Sequence, residues 1–224
     1  MNPCRILLVA ALLAVYSVPS ARAQTPPPAA APSAAAATPT PTPAPPKLEQ
    51  AIFAGGCFWC MQYAFDRAKG VKKTIVGYTG GSVAAPSYED VSSGETGHAE
   101  SIEVLYDPAQ TTYEKLLDVF WMNIDPTTVN REFADAGTQY RTVIFYANDE
   151  QKKEAEASKA ALAKSGKYDR PIVTQLVQAG KFYPAEDYHQ EYYKKNPGDF
   201  QAYEVGSGRA GYIKRTWGDS QPKP

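Results

Sequence analysis

Histidine and cysteine are scarce in this chain, with two of the first and three of the second among 224 residues. The histidines, His98 and His189, stand far apart and lack the close pairing of a zinc site, so a structural or catalytic metal is short of ligands. No block of basic residues interleaved with aromatics occurs, and the formal net charge is -1. Neither a nucleic acid nor an anionic membrane surface is therefore an expected partner. The apolar run Ile6 to Val15 falls short of the roughly 20 residues that a membrane span needs. No internal repeat is visible, and without a long exposed apolar stripe a monomer is the expected state.

What the N-terminus does carry is Arg5, that short apolar run, and Ala21-Arg22-Ala23, a small-x-small pattern of the kind cleaved by signal peptidase. Residues 1–23 read as a secretory signal, and Cys4, which precedes the apolar run, leaves with it. Residues 24–47 are almost wholly Ala, Pro, Thr and Ser, a composition that cannot bury a core and reads as a disordered, extended tether. The folded part runs from Leu48 to Trp217, about 170 residues and one domain, with 218–224 as a flexible tail. Once the signal is removed no membrane span remains, and the expected location is the periplasm or the exterior. Only Cys57 and Cys60 then persist. Exported proteins usually meet oxidising conditions, so this pair is either a disulfide or a dithiol actively kept reduced.

Ala51 to Ala54 reads as a short buried strand. Met61, Ala64, Phe65 and Ala68 then recur at helical spacing until Gly70, so Cys57 opens a helix, where unpaired N–H groups and the helix dipole favour a thiolate. Residues 71–78 read as a strand and Gly80 to Gly97 as a long loop carrying Tyr88. Glu100 alternates in phase with Ile102, Val104 and Tyr106, which puts a carboxyl on a core-facing row. Thr111 and Glu114 suggest a capping box before an amphipathic helix ending at Asp125-Pro126. A second loop leads Asp135 towards Tyr140. Arg141–Tyr146 reads as a strand, Glu150–Lys164 as a solvent-facing helix, Ile172–Val177 as a final strand and Pro184–Lys195 as helical. The order predicts an α+β two-layer sandwich with a split βαβ, ferredoxin-like core and added helices.

Two thiols at C-x-x-C spacing suggest redox chemistry at sulfur, but thioredoxin-like proteins, zinc sites and structural bridges share that spacing. The neighbouring motifs resemble one family. Gly56-Cys57-Phe58-Trp59-Cys60, Gly77-Tyr78-Thr79-Gly80-Gly81, Gly97-His98-Ala99-Glu100, Gly137-Thr138-Gln139-Tyr140-Arg141 and Ala185-Glu186-Asp187-Tyr188-His189-Gln190 together look like peptide methionine sulfoxide reductase of type A, in its order and across nearly all of the folded part. The resemblance implies reduction of methionine-S-sulfoxide, free or in oxidised proteins, without metal or bound organic cofactor. It casts Cys57 as the nucleophile, left as a sulfenic acid, and Glu100 as the acid that protonates the departing oxygen. It further implies that Tyr88 and Tyr140 donate to that oxygen, that Asp135 orders the polar network, and that Phe58 and Trp59 hold the S-methyl group. Taken singly and without the resemblance, Phe58 and Trp59 read as core residues and Tyr88 as a loop anchor. His98 and His189 read as structural.

Two departures from the family pattern stand out. The tail around Gly206-Ser207-Gly208 has no cysteine, so recycling falls to Cys60, as in the subgroup with a GCFWC motif, or to an external thiol such as a thioredoxin-like protein or dithiothreitol. Gln62 stands where that subgroup usually has Glu, and its neutrality should slightly ease formation of the Cys57 thiolate. Two alternatives stand beside the reductase: a general C-x-x-C thiol-disulfide oxidoreductase, and a non-enzymatic secreted binding domain with a plain bridge.

Overall fold

Ala51–Ala54 is apolar on both faces, and the chain uses both. A computed structural model describes residues 47–218. The expected signal (1–23), all but the last residue of the tether and the tail beyond Gly218 lie outside the described residues.

Strand β1 (Glu49–Gly55) is followed by helix α1 (Phe58–Phe65), strand β2 (Val71–Thr79), the short helix α2 (Tyr88–Ser92), β3 (Ala99–Tyr106) and α3 (Tyr113–Met122). A small hairpin, β4 (Arg131–Glu132) and β5 (Asp135–Ala136), leads through a 3-10 turn at Thr138–Tyr140 into β6 (Thr142–Tyr146). Next come α4 (Asp149–Lys164), β7 (Gln175–Gln178), β8 (Tyr183–Pro184), α5 (Tyr192–Lys195), α6 (Pro197–Gly206) and α7 (Arg209–Trp217). The main sheet has the order β7-β6-β1-β3-β2-β8. Its central four strands are antiparallel throughout, with β3 lying between β1 and β2 and β6 on the other side of β1. That is the split βαβ plan expected from the element order. Strand β7 extends it in parallel beside β6, and β8 adds a short antiparallel edge to β2.

Phe53 centres the larger core. Its ring stacks on Phe65 of α1 and Phe120 of α3, each at 5.2 Å, and on Tyr113 at 6.0 Å. Fully burying such a side chain contributes about 1.5–3 kcal/mol. Ile52 and Ala54 point to the opposite face and pack with Ala99, Val143 and Phe145. Anchored on both faces, β1 ends at a fixed point, Gly55, and the turn into α1 is fixed with it.

Several boundaries differ from expectation, each for a local reason. The segment read as a loop around Tyr88 contains α2, because Ser87 and Asp90 form a reciprocal capping box. Thr112, not Thr111, caps α3 by accepting from Lys115 N; Thr111 is buried against Gly70 instead. Strand β7 starts three residues later than expected. The Val173 N–H donates to Pro126 O, and Lys159 Nζ donates to Thr174 O at 2.6 Å, so these groups are not free for a ladder. Nor is it the final strand, since β8 comes after it.

The largest difference is Pro184–Lys195, which is mostly turn. Pro184 belongs to β8, and Gln190 clamps the edge of β2 by accepting from Val76 N at 3.0 Å and donating to Val76 O at 2.9 Å. A side-chain amide here replaces a strand partner. Glu191 has φ +52°, and only from Tyr192 does the chain become helical. The chain beyond Asn196, read as a glycine-containing tail, forms α6 and α7 with a turn at Ser207-Gly208, where Gly208 has φ +85°. Among the described residues no helix is long and apolar enough to cross a membrane.

Candidate active site

The turn from β1 into α1 needs glycine. Gly56 has φ +73°, and a Cβ there would stand 2.4 Å from Glu132 Cβ. This turn delivers Cys57 to the N-cap of α1, where its side chain makes no capping hydrogen bond. Cys57 and Cys60 are both free thiols and both buried. They lie in one buried cluster with Phe200, against which Tyr203 packs. The cover is therefore α6, an element absent from the expected plan.

Glu100 lies at the start of β3 and is buried, as the alternation predicts. Its Oε2 accepts the Phe58 N–H at 3.0 Å. One of the free donors at the start of α1 thus serves the carboxyl rather than the thiol, which corrects the expectation that the helix end ionises Cys57. Burial pushes the Cys57 thiol well above its ordinary value, and the neighbouring Cys60 adds to the rise, with Arg209 and Tyr203 opposing it. Cys60 is lowered, chiefly by its hydrogen bond with Cys57. Ionising one sulfur therefore disfavours ionising the other. Glu100 is pushed well above the usual carboxylate range, first by burial and then by the Cys57 sulfur, with the Phe58 N–H as a partial offset. Cys57 and Glu100 each make the other's anion less favourable.

The remaining residues anticipated from sequence converge here. Tyr88 opens α2, and its N–H donates to Glu186 Oε1 at 2.8 Å. Glu186 Oε2 also accepts from Tyr78 OH at 2.9 Å, which ties α2 to β2. Tyr140 ends the 3-10 turn. The phenols of Tyr88 and Tyr140 are both raised, first by burial and then by the neighbouring Glu100, so each stays a neutral donor. Asp135 accepts from Tyr203 OH. Phe58 is fully buried, whereas Trp59 is partly exposed, stacked on Tyr192 at 3.9 Å and donating from Nε1 to His189 Nδ1 at 3.1 Å.

His98 is structural, as expected, its ring nitrogens meeting Gly81 N at 3.2 Å and Val83 O at 2.7 Å. His189 carries the same expectation, yet its ring lies 5.0 Å from Phe58 and 4.4 Å from Tyr88 inside the aromatic box. Burial keeps it neutral by lowering its pKa. Gln62 is fully buried; it donates to Thr74 Oγ1 at 3.1 Å and accepts Glu191 N at 2.7 Å, so its amide joins α1 to the turn carrying His189. Sequence reasoning misses Tyr203, Glu186 and Arg209. For Glu186 the Ala185–Gln190 motif is a usable signal; the other two carry none without the C-terminal helices. Among the described residues no group of three or more His, Cys, Asp or Glu could hold a metal ion.

A split βαβ domain that sets a dithiol at a helix start against a neutral carboxylic acid and two phenols defines a thiol-dependent oxidoreductase. Residues 49–221 match the family described as peptide methionine sulfoxide reductase. Peptide methionine sulfoxide reductase MsrA of Bacillus subtilis is 54% identical over 172 residues, covering 77% of this chain and 97% of the relative. The protein of the same name from Listeria monocytogenes serotype 4b is 53% identical over 170 residues, covering 76% and 96%. Among solved structures, methionine sulfoxide reductase A of Corynebacterium diphtheriae has a TM-score of 0.60 at 35% identity, covering 68% of this chain and 77% of that one. Mxr1 from Saccharomyces cerevisiae in its reduced form has a TM-score of 0.64 at 34% identity, covering 68% and 87%. The chain belongs to the peptide methionine sulfoxide reductase family. It catalyses thiol-dependent reduction of methionine sulfoxide, and the α+β architecture read from the sequence is that of the family.

Proposed function

We propose that this chain is a methionine-S-sulfoxide reductase of the subgroup with a GCFWC motif, acting through Cys57 and recycled through Cys60, and exported to repair oxidised proteins outside the cytoplasm. The observation that carries the chemical part is the juxtaposition of the free Cys57–Cys60 pair with a buried Glu100 that retains its proton.

Binding places the substrate's S-methyl group against Phe58 and Trp59, and its oxygen towards Glu100, Tyr88 and Tyr140. The Cys57 thiolate attacks the sulfoxide sulfur while Glu100 gives its proton to the oxygen. The S–O bond of the substrate breaks, methionine leaves, and the oxygen remains on Cys57 as a sulfenic acid, so the cysteine sulfur is oxidised by two electrons. The negative charge lost from the Cys57 thiolate in this step reappears on Glu100 as it gives up its proton. The Cys60 thiol then displaces water from the sulfenic acid and closes a disulfide. An external dithiol, of the thioredoxin-like type, returns both thiols by exchange.

Cys60→Ser should still form about one methionine per enzyme in a single turnover, with Cys57 then captured by dimedone as the sulfenic acid. Recycling by a thioredoxin-like dithiol should fall at least about tenfold relative to the unaltered chain. Wild-type recycling in this variant would contradict the Cys60 route.

The export part rests on Arg5, the Ile6–Val15 run and Ala21-Arg22-Ala23. It predicts that envelope-fraction protein begins at Gln24. Recovery from the cytoplasm with the N-terminus intact would contradict it.

A further inference from the structure

Arg209, the first residue of α7, is among the largest side chains buried in this molecule, 1% exposed. Its guanidinium lies beneath the turn that carries Cys57. Nη2 donates to Gly55 O at 3.0 Å, Nη1 donates to Asn123 O, and Nη1 stands 3.7 Å from Met61 Sδ, one helical turn after Cys57. Nη2 is also 3.1 Å from where a Gly56 Cβ would stand. The face of Phe133 lies 4.6 Å from the guanidinium carbon. No carboxylate among the described residues forms an ion pair with this cation.

A buried cation without a paired anion is costly, and two backbone carbonyls offset only part of that. The nearest carboxyl in the cluster, Glu132, is fully buried and already accepts from Asp125 N at 3.0 Å and from Thr128 Oγ1 at 3.1 Å. Burial pushes its pKa up to about 8, with Arg209 opposing the rise. At neutral pH the carboxyl is mostly protonated, and the positive charge of Arg209 is not cancelled. The anions that arise next to it are sulfur anions.

We propose that Arg209 is a positioning residue for the reductase chemistry: its fixed positive charge, held under the Gly55-Gly56 turn, is the counter-charge for the thiolate shared by Cys57 and Cys60. Helix α7 is thereby part of the catalytic apparatus although it never meets substrate. Both thiols feel this charge in the same direction, towards ionisation. The other groups facing the pair are Tyr203, which assists the Cys57 anion, Asp135 and Glu204, whose charges oppose a thiolate, and Glu100, which holds its proton. Tyr88 and Tyr140 complete the ring of titratable neighbours. The inference rests on the cysteine roles proposed above only for its effect on turnover, because the ionisation itself can be read without substrate.

The test is the pH dependence of Cys57 carbamidomethylation by iodoacetamide, read by mass spectrometry on the reduced full chain, in the unaltered protein, Arg209→Met and Arg209→Lys. Loss of the charge should move the alkylation midpoint up by about one pH unit, roughly a tenfold loss of alkylation rate near neutral pH. The lysine variant should restore most of it. A folded Arg209→Met protein with an unchanged midpoint overturns the proposal, as does a shift of equal size in both variants, which would make the role one of shape. Should Arg209→Met not fold, Glu132→Gln decides. Removing the carboxylate that competes for the cation as pH rises past about 8 leaves the charge wholly to the thiols and should lower the midpoint. An unchanged or higher midpoint overturns the assignment. A null result for the alkylation with normal sulfoxide turnover would count against Arg209 alone and leave the reductase chemistry standing.

Discussion

Glu100→Gln is expected to lower kcat for methionine-S-sulfoxide by about 10²–10⁴-fold, the range typical of losing a positioned general acid. Glutamine has nearly the same shape, and its amide oxygen can still accept the Phe58 N–H, so the start of α1 should hold. What it cannot do is give a proton to the departing oxygen. The sign of the pH dependence comes from the raised carboxyl. Activity is present while Glu100 keeps its proton and falls as pH rises through that raised value, giving an alkaline limb that the glutamine variant should lack. Stability carries the same sign. The native state holds this proton more tightly than the unfolded chain, so the contribution is full below the ordinary value of 4.5 and declines as pH rises towards the folded one. Thermal melts at several pH values should therefore be flatter for Glu100→Gln. Substantial turnover with an unchanged alkaline limb would remove Glu100 from the acid role.

Cys57→Ser carries the larger effect, a loss on the order of 10⁴-fold or more in turnover. A hydroxyl in this site has neither the polarizability nor the accessible anion to attack sulfoxide sulfur, and the aromatic cover from α6 excludes a ready substitute. Stability should change little, since Cys57 makes no capping bond and serine is of similar size. Dithiothreitol should not restore activity. Near-normal turnover in a folded Cys57→Ser protein would place the nucleophile elsewhere, with Cys60 the only other free thiol among the described residues.

The central sheet is legible in the sequence from short apolar runs such as Ala51–Ala54 and from the period-two alternation of β3. Glu100 is legible for the same reason, as a carboxyl in phase with Ile102, Val104 and Tyr106. Motifs carry the identity of Cys57 and Tyr140, the resemblance to the family that of Tyr88 and Asp135, and the structure brings all four to one end of the sheet. The ionisation of Cys57 is not legible, because position at a helix start says nothing about burial, and the covering residues, Phe200 and Tyr203, come from the far C-terminal part of the chain. The turn from Ala185 to Glu191 escapes because its conformation is set by the Gln190 clamp on β2, a tertiary bond between residues 114 apart. Helices α6 and α7 escape because glycines at 198, 206, 208 and 211 break up any helical pattern, whereas Phe200, Arg209 and Ile213 are in fact buried.

The most direct measurement is turnover of the separated S and R epimers of N-acetylmethionine sulfoxide by the reduced protein with dithiothreitol, beside Cys57→Ser and Glu100→Gln. Turnover of the S epimer alone is expected, abolished in the first variant and cut by orders of magnitude in the second. Turnover of the R epimer, or of neither by a folded and reduced sample, would contradict it.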